Sequence, residues 1–290
     1  MPTAQSDPDV LVVGGGPAGC SAAVFTARYD LDTLVLDRGH SSLQQCAFVE
    51  NYLGFPGGID VATLYRTMHA HVERVGGTVV DDMVTELTET DAGFRVETQG
   101  GTYTADRVVA ASTYDVSYLE SVLGEHFESD GGETWLDPEL AGERGETPVD
   151  GLWLAGPTAG VESQIAVAVG HGARVGVALV EAYRREAENI WPGSADYTDW
   201  VVQQGRYEGE EWLETATGWH LEAAPEDRDE EAVRELARDL AERQQAQQIG
   251  EAEVASRTER AHRRLLAHLD DDLVLERARE IEAERAAGDG

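Results

Sequence analysis

Asp9-Val10-Leu11-Val12-Val13-Gly14-Gly15-Gly16-Pro17-Ala18-Gly19 is a short apolar run that breaks into a glycine-rich turn, and small residues at helical spacing follow it. It reads as strand, tight turn and helix. Gly14, Gly16 and Gly19 fit the G-x-G-x-x-G spacing, each for its own reason: a sharp turn, close backbone approach to a pyrophosphate, and close packing of helix on strand. The unpaired N–H groups and the dipole of the helix N-terminus favour a pyrophosphate there, so no lysine is required. A second apolar run, Thr33-Leu34-Val35-Leu36, ends at Asp37, where a carboxylate can accept hydrogen bonds from a ribose diol. The alternative is a glycine-rich structural turn. Strand, glycines, helix, second strand and acid in register favour the dinucleotide.

The 290 residues allow one large domain or two modest ones. Acidic residues number 56 against 22 basic ones, for a net charge of −34, and every basic position is arginine. So acidic a surface repels nucleic-acid phosphates and anionic lipid, which argues against either as a partner. It suits a cytoplasm of very high salt, where self-repulsion is screened and carboxylates keep the surface hydrated. A halophilic, haloarchaeal type of source and a cytoplasmic location are therefore expected. Without lysine there is no side chain for Schiff-base chemistry. The only cysteines, Cys20 and Cys46, form no C-x-x-C, which excludes a disulfide scaffold and an adjacent dithiol pair. Met1 to Asp9 has no basic region leading into an apolar core, and no apolar run approaches membrane-spanning length. A soluble intracellular protein is the expectation.

After Asp37 and Arg38 a polar loop runs from His40 to Ala47 and leads into Val49-Glu50-Asn51-Tyr52-Leu53-Gly54-Phe55-Pro56. This stretch, with a following helix that ends Glu73-Arg74-Val75-Gly76-Gly77, resembles the FAD half of the thioredoxin reductases. The resemblance implies that Asn51 lies near the isoalloxazine ring; from the residues alone, Asn51 could instead cap a turn before Gly54. His71 shares helical spacing with Leu64, Met68 and Val75 and is expected to face the core. His69 and His71, two apart on a helix, make a poor metal pair, and no metal site is expected. Alternating segments at Thr78 to Leu87, Gly93 to Thr98 and Thr102 to Ala110 read as strands joined by hairpin turns. In the resembling family the position of Val84 presents its backbone to the adenine, and the last of these strands returns beside the first strand. It ends in Ala110-Ala111-Ser112 where that family has Ala-Thr-Gly.

Thioredoxin reductases insert an NADPH domain, with a second G-x-G-x-x-G and a redox Cys-x-x-Cys, where this chain has only Thr113 to Asp150. Neither feature is in that stretch. Gly151-Leu152-Trp153-Leu154-Ala155-Gly156 and Gln164-Ile165-Ala166-Val167-Ala168 resemble the second FAD signature, with Gln164 at the flavin's pyrimidine edge. Pro157 replaces the family's Asp, and Thr158, Glu162 and Ser163 are the candidates to substitute for it. Gly170-His171-Gly172-Ala173 suits a close-packed small-residue helix that runs to Arg185.

Beyond Trp191-Pro192-Gly193 the composition changes. Val233, Leu236, Ala237, Leu240 and Ala241 keep helical spacing, as do Val254, Ala261 and Leu265, and then Val274, Ala278 and Ile281, so two or three amphipathic helices are expected. Tyr197, Trp200, Tyr207, Trp212 and Trp219 lie before them. Such a cluster is a packing anchor or a partner-binding surface; docked onto the FAD fold, it would cover the flavin face left open by the missing domain.

The expected fold is α/β: a single Rossmann-like FAD-binding domain over residues 1–190, of the two-dinucleotide-domain flavoprotein type with its second domain missing, and an acidic helical extension over residues 191–290. FAD is the expected cofactor, held by Gly14, Gly15, Gly16, Pro17, Ala18, Gly19, Asp37, Arg38, Asn51, Val84, Gly156 and Gln164. The expected function is that of a flavin oxidoreductase, a homodimer, which exchanges electrons with free NAD(P)H or a small electron-carrier protein. The alternative is a binding or assembly protein that keeps the fold without turnover. Cys46 is a redox candidate within reach of the flavin; a small buried residue is the preferred reading for it, and packing for Cys20.

Overall fold

The structure, a computed structural model, describes residues 7–130, 133–137 and 139–288. Of the N-terminal stretch Met1 to Asp9, residues 1–6 lie outside the described residues. The chain divides into two compact units, Met1–Glu188 and Asn189–Gly290.

The first unit opens with β1 (Val10–Val13), α1 (Pro17–Arg28) and β2 (Thr33–Asp37), and continues through α2 (Val61–Arg74) to β3 (Thr78–Asp81). Three antiparallel strands follow, β4 (Val84–Thr90), β5 (Gly93–Thr98) and β6 (Thr102–Ala105), and then β7 (Arg107–Ala110). A short α3 (Glu120–Leu123) and a hairpin of β8 (Phe127–Asp130) and β9 (Glu133–Leu136) lead to β10 (Leu152–Leu154) and the long α4 (Ile165–Glu186). The main sheet is parallel, in the order β10-β7-β1-β2-β3. Every residue of β1 and β2 is buried, as expected for a parallel sheet covered on both faces. The last strand of the sequence reading does return beside the first, pairing Val10 with Arg107 and Val13 with Ala110.

Two segments expected as single strands are each divided between two sheets. Thr78 to Leu87 breaks at Asp82 and Met83, where the chain leaves the parallel sheet for the antiparallel meander, and Thr102 to Ala110 breaks at Asp106, where it returns. Asp82 ties the exit: its carboxylate accepts from the Met83 N–H (2.8 Å), the Gly100 N–H (3.1 Å) and the Thr98 hydroxyl (2.6 Å). The return shows in burial: in β6 buried Tyr103 and Ala105 flank exposed Thr104, whereas in β7 Val108, Val109 and Ala110 are all buried, as in a parallel sheet covered on both faces. The meander's Leu87, Phe94 and Val96 join Leu11, Leu34 and Val108 of the parallel sheet in one buried core.

On the opposite face α4 lies along α1. A Cβ on Gly172 would fall on the Ala18 carbonyl, and one on Gly176 would come within 2.8 Å of the Ala22 carbonyl oxygen, so the small residues permit a close helix pair. The Ser21 hydroxyl adds a hydrogen bond to the Val169 carbonyl (2.8 Å). By length and composition α4 could cross a membrane, but here nearly half of it is buried inside the fold.

The second unit carries α5 (Gly209–Glu222), α6 (Glu230–Ala246), α7 (Glu251–Leu266) and α8 (Asp271–Gly288), with β11 (Val202–Gln203) and β12 (Gln248–Ile249) paired in parallel. The three expected periodic segments are α6, α7 and α8. The fourth helix, α5, was missed because Gly209, Thr215, Thr217 and Gly218 are weak helix formers and obscure its apolar positions. Trp191 is buried against Val233 and Ala237, and Tyr207 stacks on Trp212 with ring centroids 4.5 Å apart, so these aromatics serve the unit's own packing. Trp200 and Trp219 stay exposed.

Candidate cofactor site

A cavity of about 390 Å³ opens at the C-terminal ends of β1 and β2, lined by residues 13–18, by Asp37 and Arg38, by the His40 to Cys46 loop, and by Val84, Ser163 and Gln164. The switch point of a parallel sheet is where such folds take their ligands. Gly14 turns the chain at φ +113°, with its N–H bonded to the Leu36 carbonyl (2.8 Å). A Cβ on Gly14 would meet the Ala111 carbonyl oxygen at 2.8 Å, and one on Gly19 would fall on the Gly14 carbonyl. Gly16 is the N-cap of α1 and supplies no side chain to cap it, with Pro17 at the first turn, so the helix N-terminus faces the cavity with backbone donors alone. The Ser41 hydroxyl stands over Gly16, 2.8 Å from where a Cβ would be.

Asp37 closes β2 as the spacing required, and it is buried. Its Oδ1 accepts from the Gly39 N–H (3.1 Å) and its Oδ2 from the Tyr65 hydroxyl (2.6 Å). A carboxylate has about four acceptor sites, so capacity for a ribose diol remains. Burial and the Asp37 carboxylate both hold the Tyr65 phenol far above its ordinary range, so it stays a donor. Arg38 lines the cavity and reaches Asp115 at 3.5 Å. The Ser117 hydroxyl, its N–H and Arg38 together hold Asp115 below the usual carboxylate range.

At the other end Gln164 lines the cavity; Asn51 is exposed and not among the lining residues, but its Nδ2 donates to Gln164 Oε1 (3.1 Å), a long-range contact and not a local turn cap. Gly156 sits at φ +71° with its N–H donated to His171 Nδ1 (3.0 Å). Pro157 lines the cavity and offers neither carboxylate nor N–H. Of the three candidate substitutes, Ser163 lines the cavity; Thr158 donates instead to the Ser112 carbonyl, and Glu162 is exposed. Ser112 is further held to the Tyr118 hydroxyl at 2.8 Å.

Two expectations about single residues change, those for Cys46 and His71, and His69 makes contacts that its spacing did not foretell. Cys46 is exposed and lines the cavity, because its loop is a polar turn on the surface and not part of the core. His71 is exposed, and Val72 takes the buried position beside it. His69, read only as half of a poor metal pair, reaches the glycine loop: its Nε2 lies 2.9 Å from the Gly15 carbonyl oxygen and 3.6 Å from Asp37 Oδ2. Cys20 is buried as expected, with its thiol donated to the same carbonyl at 3.2 Å.

Glycines that a Cβ would displace, a helix N-terminus with backbone donors, an acid at the end of β2 and amides at the far end fit a dinucleotide laid across the sheet. Residues 8–125 match the pyridine nucleotide-disulphide oxidoreductase family. Among curated proteins, the thioredoxin reductase of Rickettsia bellii is 31% identical over 113 residues, 38% of this chain and 36% of that protein. That of Escherichia coli O157:H7 is 29% identical over 125 residues, 42% and 39% of the two. The chain thus spans less than half the length of these relatives. Among solved structures, a thioredoxin reductase from Gloeobacter violaceus aligns with a TM-score of 0.54 at 19% identity, over 68% of this chain and 99% of that one. An atypical thioredoxin reductase from Desulfovibrio vulgaris Hildenborough gives 0.51 at 19%, over 62% and 99%. The fold of the first unit is therefore the thioredoxin-reductase-like FAD Rossmann fold, and FAD is the cofactor it takes. Tyr65, His69 and Ser41 escaped the sequence reading. Their i, i+4 spacing puts the first two on one helix face but does not say which element that face meets.

Proposed function

We propose that the protein is a flavin-dependent oxidoreductase related to the thioredoxin reductases, with no nicotinamide or dithiol domain built into its fold. The observation that carries this reading is the link between β7 and β10. Only residues 111–151 join these neighbouring strands, and they hold α3 and the β8–β9 hairpin but neither a second glycine motif nor a cysteine. When bound, FAD supplies acceptance of a hydride or of single electrons. The protein's part is to bind the pyrophosphate at Gly14 to Gly19, to hold the ribose at Asp37, and to orient the ring end with Asn51 and Gln164.

Electrons then come from outside the fold, from free NAD(P)H or from a small electron-carrier protein. Neither Cys46, alone and exposed, nor Cys20, buried, can form the dithiol that thioredoxin reduction needs. The acidic surface, laced with i, i+4 pairs such as Glu253–Arg257 and Glu259–Arg263, supports a high-salt cytoplasm, and a homodimer is part of the same reading. The second reading, a non-catalytic flavin-binding or assembly role, is favoured by Pro157 in place of a carboxylate, by Ser112 in place of glycine and by the missing domain, and is opposed by the intact first glycine motif.

The test is spectroscopic. The purified protein in high salt is expected to absorb near 450 nm, a property of flavins generally, to bleach with an added donor and to recolour with an acceptor. A bound flavin that no donor bleaches would establish the non-catalytic reading. Turnover of thioredoxin by NADPH that survives Cys20→Ser with Cys46→Ser would show that the short β7–β10 link does not exclude this activity.

A further inference from the structure

Gly15 occupies a position that the glycine motif leaves open, and the structure gives a reason for glycine there. A Cβ on Gly15 would lie 2.6 Å from Asp37 Cβ and 2.9 Å from His69 Nε2. One of the side chains that crowd this point, His69, also holds its backbone. The Gly15 carbonyl oxygen accepts one hydrogen bond from His69 Nε2 on α2 (2.9 Å) and another from the Cys20 thiol on α1 (3.2 Å). A carbonyl only accepts, so the imidazole carries hydrogen on Nε2.

The Gly15–Gly16 peptide is trans, which sets its C=O and the Gly16 N–H in opposite directions. With the carbonyl tied to two helices, the Gly16 N–H is turned away from them, and Gly15 and Gly16 both line the cavity. We infer that His69 and Cys20 are positioning residues for the dinucleotide: together they fix the Gly15–Gly16 peptide so that the Gly16 N–H is presented to the pyrophosphate. This rests on the cradle being the FAD site and is independent of donor, acceptor and turnover.

The surroundings keep both donors in place. Tyr65, one turn before His69, packs its ring on the imidazole (centroids 4.5 Å apart) and anchors its hydroxyl on Asp37 at 2.6 Å, which fixes this face of α2 against the glycine loop. Burial, and then the Asp37 carboxylate, push the Cys20 thiol up to about 12, so it retains its S–H as a donor at any working pH. Neutral and protonated His69 alike can donate from Nε2, so no charge is needed.

The experiment follows FAD release from the holoprotein on dilution, by flavin fluorescence, and displacement of FAD by ADP, in the wild type and in His69→Leu, His69→Gln, Cys20→Ala and Cys20→Ser. A lost hydrogen bond to the Gly15 carbonyl frees the peptide to rotate. His69→Leu is therefore expected to weaken FAD and ADP by the same factor, roughly fivefold to tenfold, and Cys20→Ala by less. His69→Gln, whose amide N–H can stand in for Nε2, is expected to restore most of the loss, and Cys20→Ser likewise. Wild-type affinity in His69→Leu overturns the inference. Equal weakening in His69→Leu and His69→Gln does the same, since it would show that the ring acts by bulk. If His69→Leu fails to fold, the Cys20 pair carries the test alone, with the same two readings. A wild-type protein that holds neither FAD nor ADP would remove the cofactor assignment itself, a failure distinct from loss of positioning in a flavin-loaded protein.

Discussion

Asn51 Nδ2 and Gln164 Oε1 meet at 3.1 Å although 113 positions separate them in the chain. One comes from the loop before α2 and the other is the N-cap of α4, so this bond joins two segments that, in the function proposed above, converge on the flavin ring. In such a pair each amide orients the other. Asn51→Ala and Gln164→Ala are each expected to weaken FAD by roughly threefold to tenfold, and the double variant by no more than the worse single. Fluorescence titration of the three variants measures this. Losses that simply add would show that the two amides act separately.

Gly16 and Gly19 are both invaded by a Cβ, but by different neighbours. At Gly16 the neighbour is the Ser41 hydroxyl, a small rotor on a surface loop; at Gly19 it is the Gly14 carbonyl, which is backbone. Gly16→Val is therefore expected to fold and to lack flavin, because its side chain occupies the phosphate path. Gly19→Ala is expected to lose soluble, folded protein, because the strand–helix turn cannot yield without breaking β1 from α1. Flavin content per mole and thermal unfolding separate the two, and a Gly16→Val protein with full flavin content would refute the phosphate assignment.

Much of the site was legible because a phosphate cradle depends on backbone, and glycine is the residue whose backbone demands show in sequence. Gly14, Gly16, Gly19 and the acid at Asp37 could be placed for that reason. Tyr65 and His69 could not, since nothing in the spacing of α2 says which of its faces meets the glycine loop; that is settled only when β3 takes its place beside β2. Cys46 was misjudged on the same account, a small apolar residue being buried in general but not on a polar surface turn. The two-way split of Thr78 to Leu87 was hidden because its apolar positions, Val79, Val80, Met83, Val84 and Leu87, keep no single period that would mark where one sheet ends and the next begins.

His171 accepts the Gly156 N–H on Nδ1 (3.0 Å), which requires a neutral ring with its hydrogen on Nε2. Burial first, and then the Arg174 guanidinium, hold its pKa below the usual 6.5, while Glu146 opposes them weakly. The unfolded chain thus takes up the proton more readily than the folded one. The stabilisation from this histidine is complete above about 6.5 and is lost as pH falls through the lower, folded value. The melting temperature of the wild type is expected to drop as pH is taken from about 8 to about 5, and flavin retention with it, because the Gly156–Pro157 turn borders the cavity. His171→Asn, whose Oδ1 can accept from Gly156 without titrating, is expected to flatten that part of the profile. A wild-type profile no steeper than that of His171→Asn would exclude the ring as the titrating group.

Trp191 tests whether the second unit stands on its own packing. It is 1% exposed, lies against Val233 and Ala237 of α6, donates its indole N–H to the His220 carbonyl at 3.0 Å, and carries the Arg228 guanidinium 5.6 Å from its ring centre. All of these partners belong to the same unit. Removing so large a buried side chain leaves a cavity that α6 cannot fill by collapse, at a cost of about 3–5 kcal/mol. A helical unit of this size has a total stability of roughly 5–10 kcal/mol, so Trp191→Ala should unfold it at a much lower temperature. The first unit has its own sheet core around Leu11, Leu34 and Val108 and is expected to keep its flavin. Two separate transitions, one followed by helical circular dichroism and one by flavin release, would then appear, with only the first moved by Trp191→Ala. Simultaneous loss of flavin and helix would mean that Trp191 supports the cofactor-binding unit as well, and that the packing within α5 and α6 is not the whole of its role.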